Sequence, residues 1–253
     1  MSEIVDDSLV ILRRNLQRFR RQPEMLAGYT IQPIMFVLLF VYVFGGSIHT
    51  GMDYEDFLIP GILVQNITFG GALTAVGLVE DLHKGLIDRF RSLPMARSAV
   101  LAGRTAADVV VNLLMTVIVI VVGLIVGFRF STGVGELIYG LILLLLFGYA
   151  FSWLFALIGL LSTSAENAQQ FGFILIFPLT FISSAFVPVD NMPAALEAFA
   201  KVNPFTITVD AMRHLFVGTP AGNSVWGATA WSIGLIVVFA PLAVLKYRRV
   251  SAR

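Results

Sequence analysis

The sequence predicts an all-α integral membrane protein with six transmembrane helices, and three observations carry that prediction. Of 253 residues, 57% are hydrophobic and 13% charged, with a mean hydropathy of +0.86, where soluble domains have roughly 45–50% apolar and ~25% charged residues. The apolar residues gather into runs near the ~20 residues that a helix needs to cross a bilayer. The basic residues do not scatter: fourteen of the seventeen fall into three segments between or beside those runs.

The chain opens on a segment that is not a span. Val5, Leu9, Leu12, Leu16 and Phe19 recur at four-three spacing and form one narrow apolar stripe, with Arg14, Arg18 and Arg21 opposite. A helix of this kind, over residues 1–23, lies in the membrane interface with its stripe in the acyl boundary. Val10 and Ile11 interrupt its polar face, which hints at a protein partner besides lipid. Pro23 ends it. No small-residue cleavage site follows, so a removable signal is not expected.

Six spans follow, at about Tyr29–Gly45, Phe57–Val79, Thr105–Phe128, Glu136–Leu161, Phe171–Val187 and Val225–Leu245. An even number returns both termini to one side. Five arginines between Arg13 and Arg21, then Lys84, Arg89, Arg91, Arg97 and Arg104, then Lys246, Arg248, Arg249 and Arg253 mark that side as cytoplasmic. Arg129, Lys201 and Arg213 fall on the other side with Asp53, Glu55, Asp56, Asp190 and Glu197. The loop Ser162–Gln170 has no Lys or Arg, and its placement rests on counting alone.

Two connections are more than links. Between the second and third spans, Leu82, Leu86, Phe90 and Leu93 share one helix face, with Glu80, Lys84, Asp88 and Arg91 on the other, and Pro94 stops the helix. A solvated loop has no need of an apolar side. On the outer side, the segment 188–224 holds Ala194–Val202 and Phe205–Val217, each too short to span. Asn203-Pro204 separates them, with Asn191 and Asn203 as capping candidates. A re-entrant or surface-lying helical hairpin is predicted. No linker composition divides the chain, so residues 1–253 form one domain.

Absent chemistry narrows the function. With no cysteine, disulfides, thiolate metal sites and cysteine nucleophiles are excluded. His49, His83 and His214 have no metal-like spacing and read as surface loop residues. No G-x-x-x-x-G-K-[ST] is present to cradle nucleotide phosphates. Neither H-E-x-x-H nor G-x-S-x-G supports an integral-membrane lipid-modifying enzyme. A proton-coupled or other secondary carrier normally needs carboxylates at mid-membrane; only Asp108 lies inside a span, one turn in, and is expected to pair with Arg104 four residues earlier. A pathway through the spans must therefore be lined by uncharged groups. Its candidates are Gln32, Gln65, Asn66, Thr68, Thr180, Ser183 and Ser184, because amides and hydroxyls avoid hydrocarbon and face a bundle interior or cavity. Interhelical hydrogen bonding is the competing role for each.

Two stretches resemble a known family, the membrane subunits of ABC-2-type exporters, and within it the daunorubicin-resistance permease group. One is Gly85-Leu86-Ile87-Asp88-Arg89-Phe90-Arg91-Ser92-Leu93-Pro94, with Arg97 and Gly103-Arg104 behind it. The other runs from Phe177-Pro178-Leu179 through Ser184-Ala185-Phe186-Val187-Pro188 and Asp190-Asn191-Met192-Pro193 to Asn203-Pro204-Phe205 and Asp210-Ala211-Met212-Arg213. The resemblance implies the ABC-2 transmembrane fold, with residues 80–94 as a cytoplasmic coupling helix and the outer pair as an extracellular re-entrant hairpin. It implies two separate ATPase subunits, which would bind ATP and Mg while this chain binds no cofactor. It also implies a second permease subunit, identical or paralogous, in a bacterial cell membrane, with lipids but no nucleic acid as further partners. Contact with the ATPase would fall to Leu82, Leu86, Asp88, Arg89, Phe90, Arg91 and Leu93, with Glu166 at a second, smaller contact. The substrate implied is hydrophobic or amphipathic: a drug, polyketide, lipid or glycolipid moved out of the cytoplasm or inner leaflet.

Overall fold

A computed structural model describes residues 23–83 and 97–250. Among them every regular element is helical: α1 (Pro23–Leu39) running into a π-helical turn (Phe40–Phe44), α2 (Tyr54–His83), α3 (Arg97–Val126), α4 (Val134–Leu161), α5 (Ala165–Phe181), a 3₁₀ turn (Val189–Asn191), α6 (Ala194–Val202), α7 (Pro204–Val217) and α8 (Ser224–Val250). The predicted leading helix, and the insert from Lys84 to Ala96, lie outside the described residues.

Four helices are long and apolar enough to cross a membrane, on α2, α3, α4 and α8. They coincide with the second, third, fourth and sixth predicted spans. The first corresponds to a shorter apolar stretch, Thr30–Phe44. The fifth departs most from expectation. It ends at Phe181 rather than Val187, because Ile182 leaves the helix at φ −97°, ψ 60°. The freed carbonyls are taken up from elsewhere: Asn203 Nδ2 donates to Leu179 O and to Ile182 O, each at 2.7 Å. A helix end buried in protein needs such partners.

α2 is the central element. Its apolar window is 76% buried, against 17% for that of α8, and it packs on α1, α3, α4, α5 and α7. Close approach of α2 and α4 comes from small residues, the usual device where lipid replaces water. A Cβ on Gly159 of α4 would stand 2.7 Å from Ala75 O of α2. Phe147 and Phe151 of α4 meet Phe205 of α7 edge-on, with centroids 5.7 and 5.5 Å away. That contact anchors the outer helices to the bundle.

The two outer helices match the predicted pieces. Asn203 is the N-cap of α7, its Oδ1 accepting from Phe205 N at 2.9 Å, and Pro204 stands at the first helical position. Asn191 does not cap α6. Pro193 holds the cap position without a side-chain bond, and Asn191 N is used inside the 3₁₀ turn by Pro188 O. Gly218, in the left-handed region at φ +85°, terminates α7 by giving its N–H to Arg213 O and His214 O. His214 is therefore not a loop residue; it sits in α7 with Nδ1 2.5 Å from Thr219 O.

Candidate functional site

The sequence candidates separate into two places along α2 and α5. Gln32 of α1 with Gln65 and Asn66 of α2 line a pocket of about 10 Å³, the room of a single water. Beside it, a cavity of about 160 Å³ is lined by Gln32, Asn66, Phe69, Gly70, Ala72 and Val76 together with Gln169 and Phe173 of α5. Gln65 is buried, Asn66 half-buried, and Gln32 and Gln169 exposed on the open side. Among the described residues none of these four amides has a side-chain hydrogen-bond partner. An amide donates two hydrogen bonds and accepts two. The cavity thus presents neutral donors and acceptors between the rings of Phe69 and Phe173, which are 5.8 Å apart at an angle of 56°.

Thr68 does not line it. Its side chain is fully buried and Oγ1 donates to Val64 O of its own helix at 2.8 Å. Two amides that the sequence reading passed over lie here: Gln169 in the lining and Asn112 behind Gly70. Gln169 lies in the polar first turns of α5, a stretch that reads as loop. Asn112, on α3, is 2% exposed and wedged between α2 and α4; a Cβ on Gly70 would be 2.4 Å from its Oδ1, and its Nδ2 has no partner. A lone amide inside an apolar run was the available signal. Asp108, near the same end of α3, accepts from Thr74 Oγ1 at 2.5 Å. The side chain of Arg104, its expected partner, lies outside the described residues.

Thr180, Ser183 and Ser184 come together at the second place, the break after α5, and all three are buried. Ser183 Oγ donates to Thr180 O at 2.5 Å, and Ser184 N donates to Thr206 Oγ1 at 3.2 Å. Ser184 Oγ donates to Asp210 Oδ1 at 2.8 Å. Thr180 Oγ1 alone has no partner. Arg213 of α7 is the centre of this network. Its Nε donates to Phe57 O at 2.9 Å, Nη2 to Ser184 O at 2.5 Å and Nη1 to Asp210 Oδ1 at 3.0 Å, and its guanidinium carbon stands 3.6 Å over the Phe57 ring. Burial pushes its pKa down to about 10 against the pull of Asp210, so the group stays charged at neutral pH. The sequence marks it only by its side of the chain and its place in Asp210-Ala211-Met212-Arg213; it is 5% exposed.

Packing completes the break. A Cβ on Gly61 would lie 2.3 Å from Ala185 O and 2.9 Å from Ala185 Cα, so only glycine lets α2 meet that backbone. Phe186 is stacked between Phe40 and Phe181, with centroids 4.5 and 5.4 Å away. The Tyr54 hydroxyl donates to Phe186 O at 3.4 Å. Against this break lies an open cavity of about 810 Å³ whose lining includes Met52, Asp190, Thr206, Asp210, Arg213 and Thr219.

Of the expected ATPase contacts only two fall within the described helices. Leu82 lies in the last turn of α2, and Glu166 is exposed in the first turn of α5, behind the N-cap Ser164. Leu86, Asp88, Arg89, Phe90, Arg91 and Leu93 lie outside the described residues. Among the described residues no cluster of His, Asp or Glu could hold a metal ion.

Comparison gives this helical membrane bundle a family. Residues 8–217 match the ABC-2 type transporter family, and the chain belongs to it as a permease. It is similar to the daunorubicin resistance ABC transporter permease protein DrrB1 of Streptomyces coeruleorubidus, with 33% identity over 98% of this chain and 88% of that one. It is also similar to the Mycobacterium tuberculosis protein named "Probable doxorubicin resistance ABC transporter permease protein DrrC", with 24% identity over 98% and 90% of the two chains.

Proposed function

We propose that this permease is the membrane subunit of an ATP-driven exporter. It moves a hydrophobic or amphipathic molecule, of the class of drugs, polyketides, lipids or glycolipids, out of the cytoplasm or inner leaflet. The observation that carries the reading is the amide cavity. Gln32, Gln65, Asn66 and Gln169 hold neutral donors and acceptors with no partner among the described residues, beside the rings of Phe69 and Phe173. Amides facing hydrocarbon are costly. A second permease subunit, identical or paralogous, would cover the open side on which Gln32 and Gln169 lie. A flat or amphipathic substrate would then meet ring faces and neutral hydrogen-bonding groups together. The names of both relatives, a daunorubicin resistance permease and a probable doxorubicin resistance permease, support a drug as cargo.

Energy would come from two separate ATPase subunits carrying ATP and Mg, since this chain has no phosphate-binding loop. They would seat the insert 80–94 through Leu82, Leu86, Phe90 and Leu93, with Asp88, Arg89 and Arg91 at its rim and Glu166 at the smaller contact. Both termini would face the cytoplasm of a bacterial cell.

Co-purification in mild detergent tests the reading. A soluble P-loop ATPase should be recovered with the wild-type chain, and the chain alone should hydrolyse no ATP. Phe90→Ala should remove an anchor worth about 2 kcal/mol, lowering ATPase recovery more than tenfold at equal membrane insertion. Equal recovery from the two chains would refute docking through this insert, and hydrolysis by the pure chain would refute the division of labour.

A further inference from the structure

We propose that Arg213 is the latch of the outer seal, the positioning residue whose guanidinium holds the break after α5 against α2 and thereby closes the outer end of the pathway. Rather than touching cargo in the amide cavity, it would act through the segment it holds. The proposal rests on the permease reading above and adds to it a residue with a defined task.

The geometry is specific to a planar fork. One guanidinium reaches three elements at once: Phe57 O on α2, Ser184 O in the break, and Asp210 on its own helix α7. Five fixed N–H donors allow this, whereas a lysine is a point charge on a flexible stem. Each acceptor outside α7 is a backbone carbonyl, so the contact positions chain rather than side chains. Asp210 is held in turn by Ser184 Oγ, which ties the break to α7 a second time. The fork is nearly fully buried while Asp210 is 46% exposed towards the outer cavity. The network therefore has one wet edge, through which water or a departing molecule can compete for Asp210. On the inner side of the break, Thr180 Oγ1 is buried without a partner. A polar group in that state lowers the resistance to local rearrangement. The break is tied to α7 through Asn203, Thr206 and Asp210, whereas the side-chain tie to α2 at Phe57 comes from Arg213.

The chain has no native cysteine, so single serine-to-cysteine changes report local opening directly. Ser183→Cys sits in the seal and Ser152→Cys in the middle of α4, both serines being buried. With the purified chain in lipid nanodiscs, where a water-soluble maleimide reaches both faces, both thiols should react slowly. Adding Arg213→Gln should raise the rate at Ser183→Cys by about tenfold or more and leave Ser152→Cys unchanged. Arg213→Lys, which keeps the charge but cannot span the three acceptors, should raise it by a smaller factor; it carries the test if the glutamine variant inserts poorly. An unchanged rate at Ser183→Cys in both variants would overturn the proposal. So would a rise at Ser152→Cys in step with it, which would mean general loosening. In the assembled transporter, Arg213→Lys should lower transport more than ATP hydrolysis. Unaltered transport with an opened seal would remove the latch from the cycle. The labelling arm needs no ATPase, so it stands or falls separately from the co-purification that tests the function.

Discussion

The amide cavity and the break after α5 share the helices α2 and α5 but differ in what most of their polar side chains bond to. In the seal, Asn203, Ser183, Ser184 and Arg213 are bonded, mostly to backbone carbonyls. In the cavity, Gln32, Gln65, Asn66 and Gln169 have no side-chain partner among the described residues. A satisfied buried polar group fixes structure, and an unsatisfied one is a liability unless something arrives to satisfy it. Polar residues that look alike in the sequence thus divide into those bonded within the fold and those with no side-chain partner among the described residues.

Substitutions can break that division. The largest effect is expected from Gly61→Ala, whose Cβ would run into the Ala185 backbone at 2.3 Å. Two backbones cannot yield as a side chain can, so a loss of about 3 kcal/mol is expected, at the upper end for overpacking, read as a fall in unfolding midpoint of the purified chain. Asn203→Ala comes next. It strips two carbonyls of α5 and the N-cap of α7 together, for about 2 kcal/mol by the same measurement. Asn66→Leu should do the reverse. Stability should stay within about 0.5 kcal/mol, because no internal bond is lost, while transport falls; a large drop in stability would place Asn66 with the seal. Thr68→Val should be the mildest. Its hydroxyl serves only its own helix, so both stability and transport should remain near wild type, and a transport defect would return Thr68 to the cavity lining.

Much of the fold was legible because its cause is local. Run length and charge placement reveal the long helices, and the Pro-Asn punctuation around 191–204 delimits α6 and α7. The end of α5 was not legible, since its cap comes from Asn203, more than twenty residues later in the chain. The task of Arg213 was hidden for the same reason. Counting charges per loop gives it only a side, whereas its partners are carbonyls of residues 57 and 184 that no local pattern reveals. In the cavity and the small pocket beside it, Gln32, Gln65 and Asn66 were readable as amides in apolar helices, and Asn112, behind Gly70, would have been by the same rule. Gln169 was hidden in Glu166-Asn167-Ala168-Gln169-Gln170, whose polarity resembles a connector but which forms the first turns of α5.

The acceptors in the seal bear on how such a permease can diversify. Phe57, Leu179, Ile182, Ser184 and Phe186 each offer a carbonyl oxygen to Arg213, Asn203 or Tyr54, and Phe57 adds its ring and Ser184 its hydroxyl. Every amino acid, proline included, carries that oxygen. Mutation at those five positions can alter packing but cannot delete the carbonyl acceptor, so these backbone ties depend on a few donor residues alone. Lineages could recolour the cavity with new side chains and acquire new cargo while inheriting the same closure unaltered.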